Sequence, residues 1–288
     1  MWRQGDLVSR KSYGDDIIFK VESIQREVAI LRGIEVRLIA DAMLSDLTMK
    51  DEQQYHREMG MDSARAAEAK RLQEFNQEIR HARVKQHQSS AEDTPYFELP
   101  GRVLHLDGDA TYLRKSMEIY EQLNIPAEGH YVRESMMSDA VNQLLPAVRP
   151  DILIITGHDG LIRTRGGYDK SYIGSYKNSE NFVKAVMAAR YYERNRDTLT
   201  IIAGACQSHF EALLQAGANF ASSPARILIH ALDPVYIAST MAYTSIKGTS
   251  DIYEVIRHTV SGMDGIGGIE TRGSFRIGLP KMKNVNKL

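Results

Sequence analysis

The stretch Thr200–Phe210 reads TIIAGACQSHF and holds Cys206, the only cysteine of the 288-residue chain. Upstream, Ile152–Gly160 reads ILIITGHDG and sets His158 in the same local context, just past a run of apolar and β-branched residues. A thiolate is the reactive form of cysteine, and an imidazole beside it can take the thiol proton or pair with the thiolate as imidazolium. His158 and Cys206 are therefore a candidate base and nucleophile, provided that the fold brings two strand ends together.

The elements that must do this start near Gly101, where strand-like and helix-like segments begin to alternate. RVLHLD is followed by ATYLRKSMEIYEQL, GHYV by SDAVNQLLPAV, DILIIT by SENFVKAVMAARYYERN, and LTIIAG by SHFEALLQAG; ARILIH reads as a fifth strand. Near-continuous apolar strands separated by helices predict an α/β fold: an open, mainly parallel sheet with helices on both faces. In such a sheet ligands gather outside the carboxyl ends of the strands, beside the point where strand order reverses. His158 past the third strand and Cys206 past the fourth then emerge on one edge.

Two zones precede this domain. From Gly5 to about Asp46, short β-type runs (DLV, IIFKVESI, EVAILRG, VRLIA) are separated by turn signals such as SYGDD, which predicts a small antiparallel β barrel of SH3-like size over residues 1–48. Residues 49–98 are rich in Lys, Arg, Glu, Gln and Ala with few large apolar side chains, and are expected to form a charged helical linker exposed to solvent. The α/β domain then spans 99–288.

Composition excludes several classes. With 36 basic and 37 acidic residues the net charge is −1, which gives no broad attraction to nucleic acid or an anionic membrane. A single cysteine forms no internal disulfide, which fits a reducing compartment, and the sequence lacks the ligand set of a structural zinc site. The opening MWRQGDLVSRKSYGDD has no apolar signal-type core, and no later stretch approaches the ~20 apolar residues of a membrane span.

The paired blocks TGHDG and GACQS, each after an apolar run, resemble those of the caspase-hemoglobinase group of cysteine peptidases. The order of barrel, linker and α/β domain, with RVLHLDGD, DILIITGHDG and GACQSHFEA in place, more narrowly resembles the sporulation-specific YabG protease family of endospore-forming bacteria over nearly the whole chain. The resemblance implies a caspase-like peptidase domain in which Cys206 is the nucleophile and His158 the general base and acid. It also implies a thiol endopeptidase that processes spore-coat and spore-assembly proteins after basic residues, chiefly arginine. The setting would be the cytoplasm of the sporulating cell or the forming coat. Neither a metal nor an organic cofactor is implied, and no third catalytic residue is assigned.

Asp159 stands between His158 and Gly160, where many relatives have glycine directly after the histidine. The backbone N–H of Cys206, exposed by a strand-to-helix turn, is the expected oxyanion donor, with Asp159 or Gly160 as the second; each such donor contributes about 2.7–4 kcal/mol. A helix beginning near Ser208 would favour the thiolate through its dipole. A preference for basic residues calls for a carboxylate near the pair, and Asp159 and Asp233 are the candidates. The exposed linker is the expected place for the chain to cut itself, at an arginine between Arg65 and Arg83.

Competing roles exist for the same residues. A lone cysteine is commonly a small buried hydrophobe. His209 makes a Cys-x-x-His pair with Cys206, too few ligands for a metal, and is the rival base. His230 and His105 read as hydrogen-bonded strand histidines. The glycine cluster GMDGIGGIETRG over Gly262–Gly273 lacks the strand that a dinucleotide fingerprint requires and reads as a mobile loop. Asp107 and Asp109 mimic a phospho-acceptor pair of a flavodoxin-like regulator, without an evident partner lysine. A non-catalytic spore-coat assembly protein is the other alternative.

Overall fold

The computed structural model describes residues 2–34, 36–51, 61–88, 96–163, 167 and 169–279, with the side chains of 61–65 and 82–88 outside the description. Five N-terminal strands, β1 (Leu7–Arg10), β2 (Phe19–Gln25), β3 (Val28–Gly33), β4 (Ile39–Met43) and β5 (Leu47–Met49), form an antiparallel sheet in the order β4-β3-β2-β1-β5. The expected strand VRLIA begins late: Val36–Leu38 leave the ladder as a bend, and β4 starts at Ile39. That bend matters below, because it carries Arg37 into the other half of the molecule.

Helix α1 (Met61–Gln88) follows, and it corrects the expectation of a bare spacer. Leu72, Phe75 and Ile79 recur at helical spacing, and Phe75 and Ile79 are buried against the C-terminal domain, Phe75 edge-on to Tyr236 at 5.2 Å. Three apolar residues in a charged sequence suffice for one packing stripe. Arg71 and Arg80 lie inside this helix, whose backbone is not extended; the side chains of Arg65 and Arg83 are outside the description.

The second half alternates β6 (Phe97–Leu99), β7 (Val103–Asp107), α2 (Ala110–Gln122), β8 (Ala127–Tyr131), α3 (Met137–Val148), β9 (Ile152–Thr156), α4 (Ser179–Tyr192), β10 (Thr200–Ala203), α5 (Phe210–Ala216) and β11 (Phe220–Ser222). It ends in α6 (Asp233–Tyr243), α7 (Ile252–Ile256), α8 (Gly262–Gly265), β12 (Ile266–Gly268) and β13 (Arg276–Gly278). Six strands make the main sheet, in the order β12-β11-β10-β9-β7-β8; all neighbours are parallel except the edge strand β12. Alternation along β9 explains the layers. Ile152 and Ile154 join Tyr236, Ile237 and Met241 of α6 on one face, while Leu153 and Ile155 join Val141 of α3 and Phe182 of α4 on the other.

Two assignments shift. The fifth parallel strand is Phe220–Ser222, not ARILIH: Ser223 and Arg226 take left-handed backbone conformations that break the extended run, and Ile227 and Leu228 are exposed. The glycine cluster is not a simple loop, since it contains α8 and the strand β12 at the sheet edge. Strand order reverses between β7 and β9, and the crevice above that point is where the N-terminal bend enters.

Candidate active site

His158 and Cys206 reach the same edge by register. Ile155 of β9 pairs with Ala203 of β10, and each candidate lies three residues beyond its member of that pair. Adjacent strands run about 4.8 Å apart, so the two loops leave the sheet side by side. Both side chains are fully buried.

The thiol lies against Ile229, accepting from its N–H at 3.4 Å and facing its carbonyl at 3.7 Å. Burial pushes its pKa up to about 11, against the pull of the backbone amides of Ile229 and Arg37. Helix α5 does not reverse this: it begins four residues past Cys206, at Phe210. The His158 ring bonds through Nε2 to the Gly33 carbonyl at 3.3 Å, and its buried Nδ1 has no hydrogen-bond partner among the described residues. Burial, with the nearby Arg32 and Arg37 cations, pushes His158 down to about 3. With the cleft closed, the pair is thus a neutral thiol and a neutral imidazole.

Asp159 holds the two loops together. Its buried carboxylate accepts from the N–H of Gly160 at 2.9 Å, the N–H of Asn178 at 2.7 Å and the hydroxyls of Ser179 and Ser208, the last at 2.9 Å and two residues after Cys206. Four donors oppose desolvation, which still raises its pKa to about 6. Glu134, absent from the sequence reading, accepts from the His158 N–H at 2.9 Å, and Asn178 donates to the His158 carbonyl at 2.8 Å. No local spacing signals these contacts, which span 20 or more positions.

The crevice is occupied. Asp159 donates its N–H to the Arg37 carbonyl at 3.1 Å and accepts from the Ile39 N–H at 2.7 Å, so residues 37–39 run beside the histidine loop as a short β bridge. The Arg37 side chain is fully buried: Nη1 and Nη2 bond the two oxygens of Asp107 at 2.7 Å each, Nε donates to the Ala231 carbonyl at 3.1 Å, and the guanidinium lies 4.4 Å from the centre of the Tyr112 ring. The Asp107 carboxyl is held well below the usual carboxylate range by this cation. Gly160 is what permits so close an approach, because a Cβ there would lie 1.8 Å from the Ile39 carbonyl oxygen.

The family model of YabG peptidase U57 matches residues 3–280. The chain is also 44% identical, over 97% of its length and 98% of the other's, to the sporulation-specific protease YabG of Bacillus subtilis (strain 168). The chain belongs to the YabG peptidase family.

In this YabG-family chain the remaining candidates sit as follows. The Gly160 N–H is turned to the Asp159 carboxylate, while the Asp159 N–H faces a carbonyl in the crevice. The Asp233 carboxylate is buried under two backbone amides, those of Val260 at 2.7 Å and Ser261 at 3.1 Å, which makes it a loop anchor. Asp159 is likewise committed, whereas Asp107 pairs with the Arg37 guanidinium and Glu134 lies 3.4 Å from Arg32. Asp109 caps α2 through the N–H groups of Thr111 and Tyr112 and stands 4.0 Å from His158 Nε2. His209 caps α5 and bonds the Ser171 carbonyl. His105 lies 3.5 Å from Asp107 and 3.2 Å from the Tyr120 hydroxyl, and His230 stands 3.8 Å from Asp233. Among the described residues no cluster of metal-ligating side chains forms, and no helix is long and apolar enough to cross a membrane.

Proposed function

We propose that this YabG-family peptidase is a cysteine endopeptidase with a Cys206–His158 dyad that cleaves after arginine and processes spore-coat and spore-assembly proteins. The observation that carries the mechanism is the shared register of the two loops on adjacent strands, which sets one thiol and one imidazole with an unpartnered buried nitrogen at one sheet edge. The caspase-like fold of residues 99–288, the SH3-like barrel of residues 1–48 and the linker between them belong to the same reading, as does a setting in the sporulating cell or at its spore coat. The parallel sheet and antiparallel N-terminal sheet support it.

His158 Nε2 is fixed by the Gly33 carbonyl, so Nδ1 is the atom that takes the thiol proton. Sγ attacks the scissile carbonyl carbon, and the resulting oxyanion is received by the N–H groups of Cys206 and Asp159. Collapse breaks the C–N bond, and the leaving amine takes the proton from His158. Water then attacks the thioester, giving a proton to His158, which returns it to the sulfur as the carboxyl product leaves. The chemistry requires residues 36–39 to move off the crevice: once water enters, both pKa values relax toward their ordinary values of about 8.5 and 6.5.

The test is incubation of the purified protein with a diverse peptide library and mass spectrometry of the cut sites. Cuts that follow arginine and vanish in Cys206→Ala are expected. Cuts dominated by acidic or apolar residues, or unchanged without the thiol, would overturn the reading. A protein that cuts nothing while binding coat proteins would favour the non-catalytic alternative.

A further inference from the structure

Arg37 is an unusual residue to find fully buried, because an ion pair taken out of water is rarely better for stability than apolar packing of the same volume. Its surroundings have the parts of a receptor for one side chain. A carboxylate at the end of β7 meets both terminal nitrogens in a two-pronged pair, a backbone carbonyl takes Nε, and an aromatic face covers the plane of the fork. The main chain of the same residue is engaged as a substrate would be. Its carbonyl oxygen receives the N–H of Asp159, directly after His158. The following residues continue along the histidine loop, with the Ile39 N–H bonded to the Asp159 carbonyl.

The geometry points to Asp107 as the carboxylate that selects arginine as the residue before the scissile bond, and to Arg37 as a tethered occupant that fills this pocket and closes the active site of its own chain. The inference rests on the peptidase reading and goes beyond it by assigning the pocket and naming its resident. Asp107 ends β7, and His158 and Cys206 follow the adjacent strands β9 and β10, so pocket, base and nucleophile share one sheet edge. A cavity of about 360 Å³ shares Tyr112 and Ala231 with the contacts of Arg37 and opens beside it, next to Lys115 and Glu68 of the surrounding helices. Displacing residues 36–39 would join that space to the crevice.

A tethered occupant competes at an effective concentration of about millimolar. Arg37→Ala should therefore lower KM for a short arginyl peptide by roughly tenfold or more, with kcat retained. Adding Asp107→Asn to that variant should raise KM for the arginyl peptide by roughly a hundredfold, because the donors of the substrate guanidinium then lack the carboxylate that pairs with them. Agmatine, a small guanidinium, should raise the melting temperature of Arg37→Ala and compete with the arginyl peptide. It should do both more weakly in wild type, where Arg37 competes for the pocket, and neither in Arg37→Ala/Asp107→Asn.

Removing Arg37 strands a buried carboxylate, so the single variant can fail to fold alone. In that event agmatine present during refolding should restore soluble protein, and the double variant should fold without it. Peptide cleavage that is unaffected by Arg37→Ala, together with no agmatine binding or rescue, would sink this inference and leave the peptidase reading intact. Agmatine binding by a protein that cuts no peptide would sink the peptidase reading, and with it the role of the pocket in cleavage.

Discussion

The loops that carry His158 and Cys206 and the bend that carries Arg37 lie against each other, yet they are held in different ways. The loops are tied by short-range order: each follows a buried parallel strand, and the Asp159 carboxylate bonds both, reaching Ser208 from the histidine side. Among the described residues the bend has no ladder of its own between Gly33 and Ile39, and it is held in the crevice by the Arg37 side chain on Asp107, the Ala231 carbonyl and the Tyr112 ring, by one β bridge, and by the apolar contact of Leu38 with the cluster around Cys206. A region built from secondary structure is rigid without its occupant. A region built from a few polar contacts can leave when a better partner arrives.

The largest expected effect breaks the first region chemically and leaves the second alone. Cys206→Ala should reduce peptide cleavage to background while the fold, read by circular dichroism, persists, because the change removes one sulfur atom at a strand terminus. His158→Ala should fall nearly as far, and the double variant no further, since nucleophile and base act as a unit. Retained wild-type rates in Cys206→Ala would remove the thiol from the mechanism.

Next come changes that break the second region. Asp107→Ala leaves the Arg37 fork buried without its counter-charge and should destabilise the protein by about 3–5 kcal/mol in denaturant unfolding. Arg37→Ala/Asp107→Ala should be less damaging than that single change, the sign of a coupled pair. Gly160→Ala tests the docking from the other side. A Cβ 1.8 Å from a backbone oxygen of β4 cannot be absorbed by a side-chain turn, so a loss of about 1–3 kcal/mol is expected. A wild-type unfolding midpoint for Gly160→Ala would mean that the bend does not sit where the structure places it.

This contrast also explains what the sequence made legible. Apolar runs ending at His158 and Cys206, with helices between, are local patterns, and they led to the parallel sheet and to the edge at which both residues lie. Arg37 could not be found that way, since nothing within a few residues of it differs from an ordinary exposed arginine and its partner Asp107 is 70 positions away. Asp107 was visible as an acidic residue at a strand end, but its role depends on which side chain the N-terminal sheet delivers there. Asp233, a candidate because it follows the ARILIH run by three residues, spends its oxygens on two loop amides that no local pattern announces. The fifth strand was misplaced because ARILIH has the composition of a strand, whereas the left-handed residues Ser223 and Arg226 decide the backbone.

A pH titration probes the loop region more finely. His158 is neutral in the folded protein down to about pH 3, whereas in the unfolded chain it takes a proton near pH 6.5. Its contribution to stability is therefore complete above pH 6.5 and is lost as pH falls toward 3, by about 2 kcal/mol at pH 5. Asp159 runs the other way: with its pKa raised to about 6, its contribution is complete below about pH 4 and is lost as pH rises through 6. The two windows overlap, so these two contributions oppose each other between pH 4 and 6. His158→Gln should uncover the Asp159 slope, making the protein more stable at pH 4 relative to pH 7 than wild type is. An unchanged pH profile of unfolding in His158→Gln would show that the histidine is not buried as described.

The smallest effect is expected at His209, the rival base. Its Nδ1 accepts from the N–H of Ala212 at 3.3 Å, and its Nε2 lies 3.1 Å from the Ser171 carbonyl, which can only accept. One tautomer satisfies both, with the proton on Nε2 and the lone pair of Nδ1 capping α5, so neither nitrogen is available to a thiol. The ring also packs on Tyr176 at 5.2 Å. His209→Ala should therefore act as the loss of a helix cap, lowering stability by about 1 kcal/mol and sparing most of the cleavage rate. Initial rates on one arginyl peptide, measured beside His158→Ala with circular dichroism on both, separate the two histidines. A folded, inactive His209→Ala with an active His158→Ala would transfer the base to α5 and require the Nδ1 cap to open during turnover.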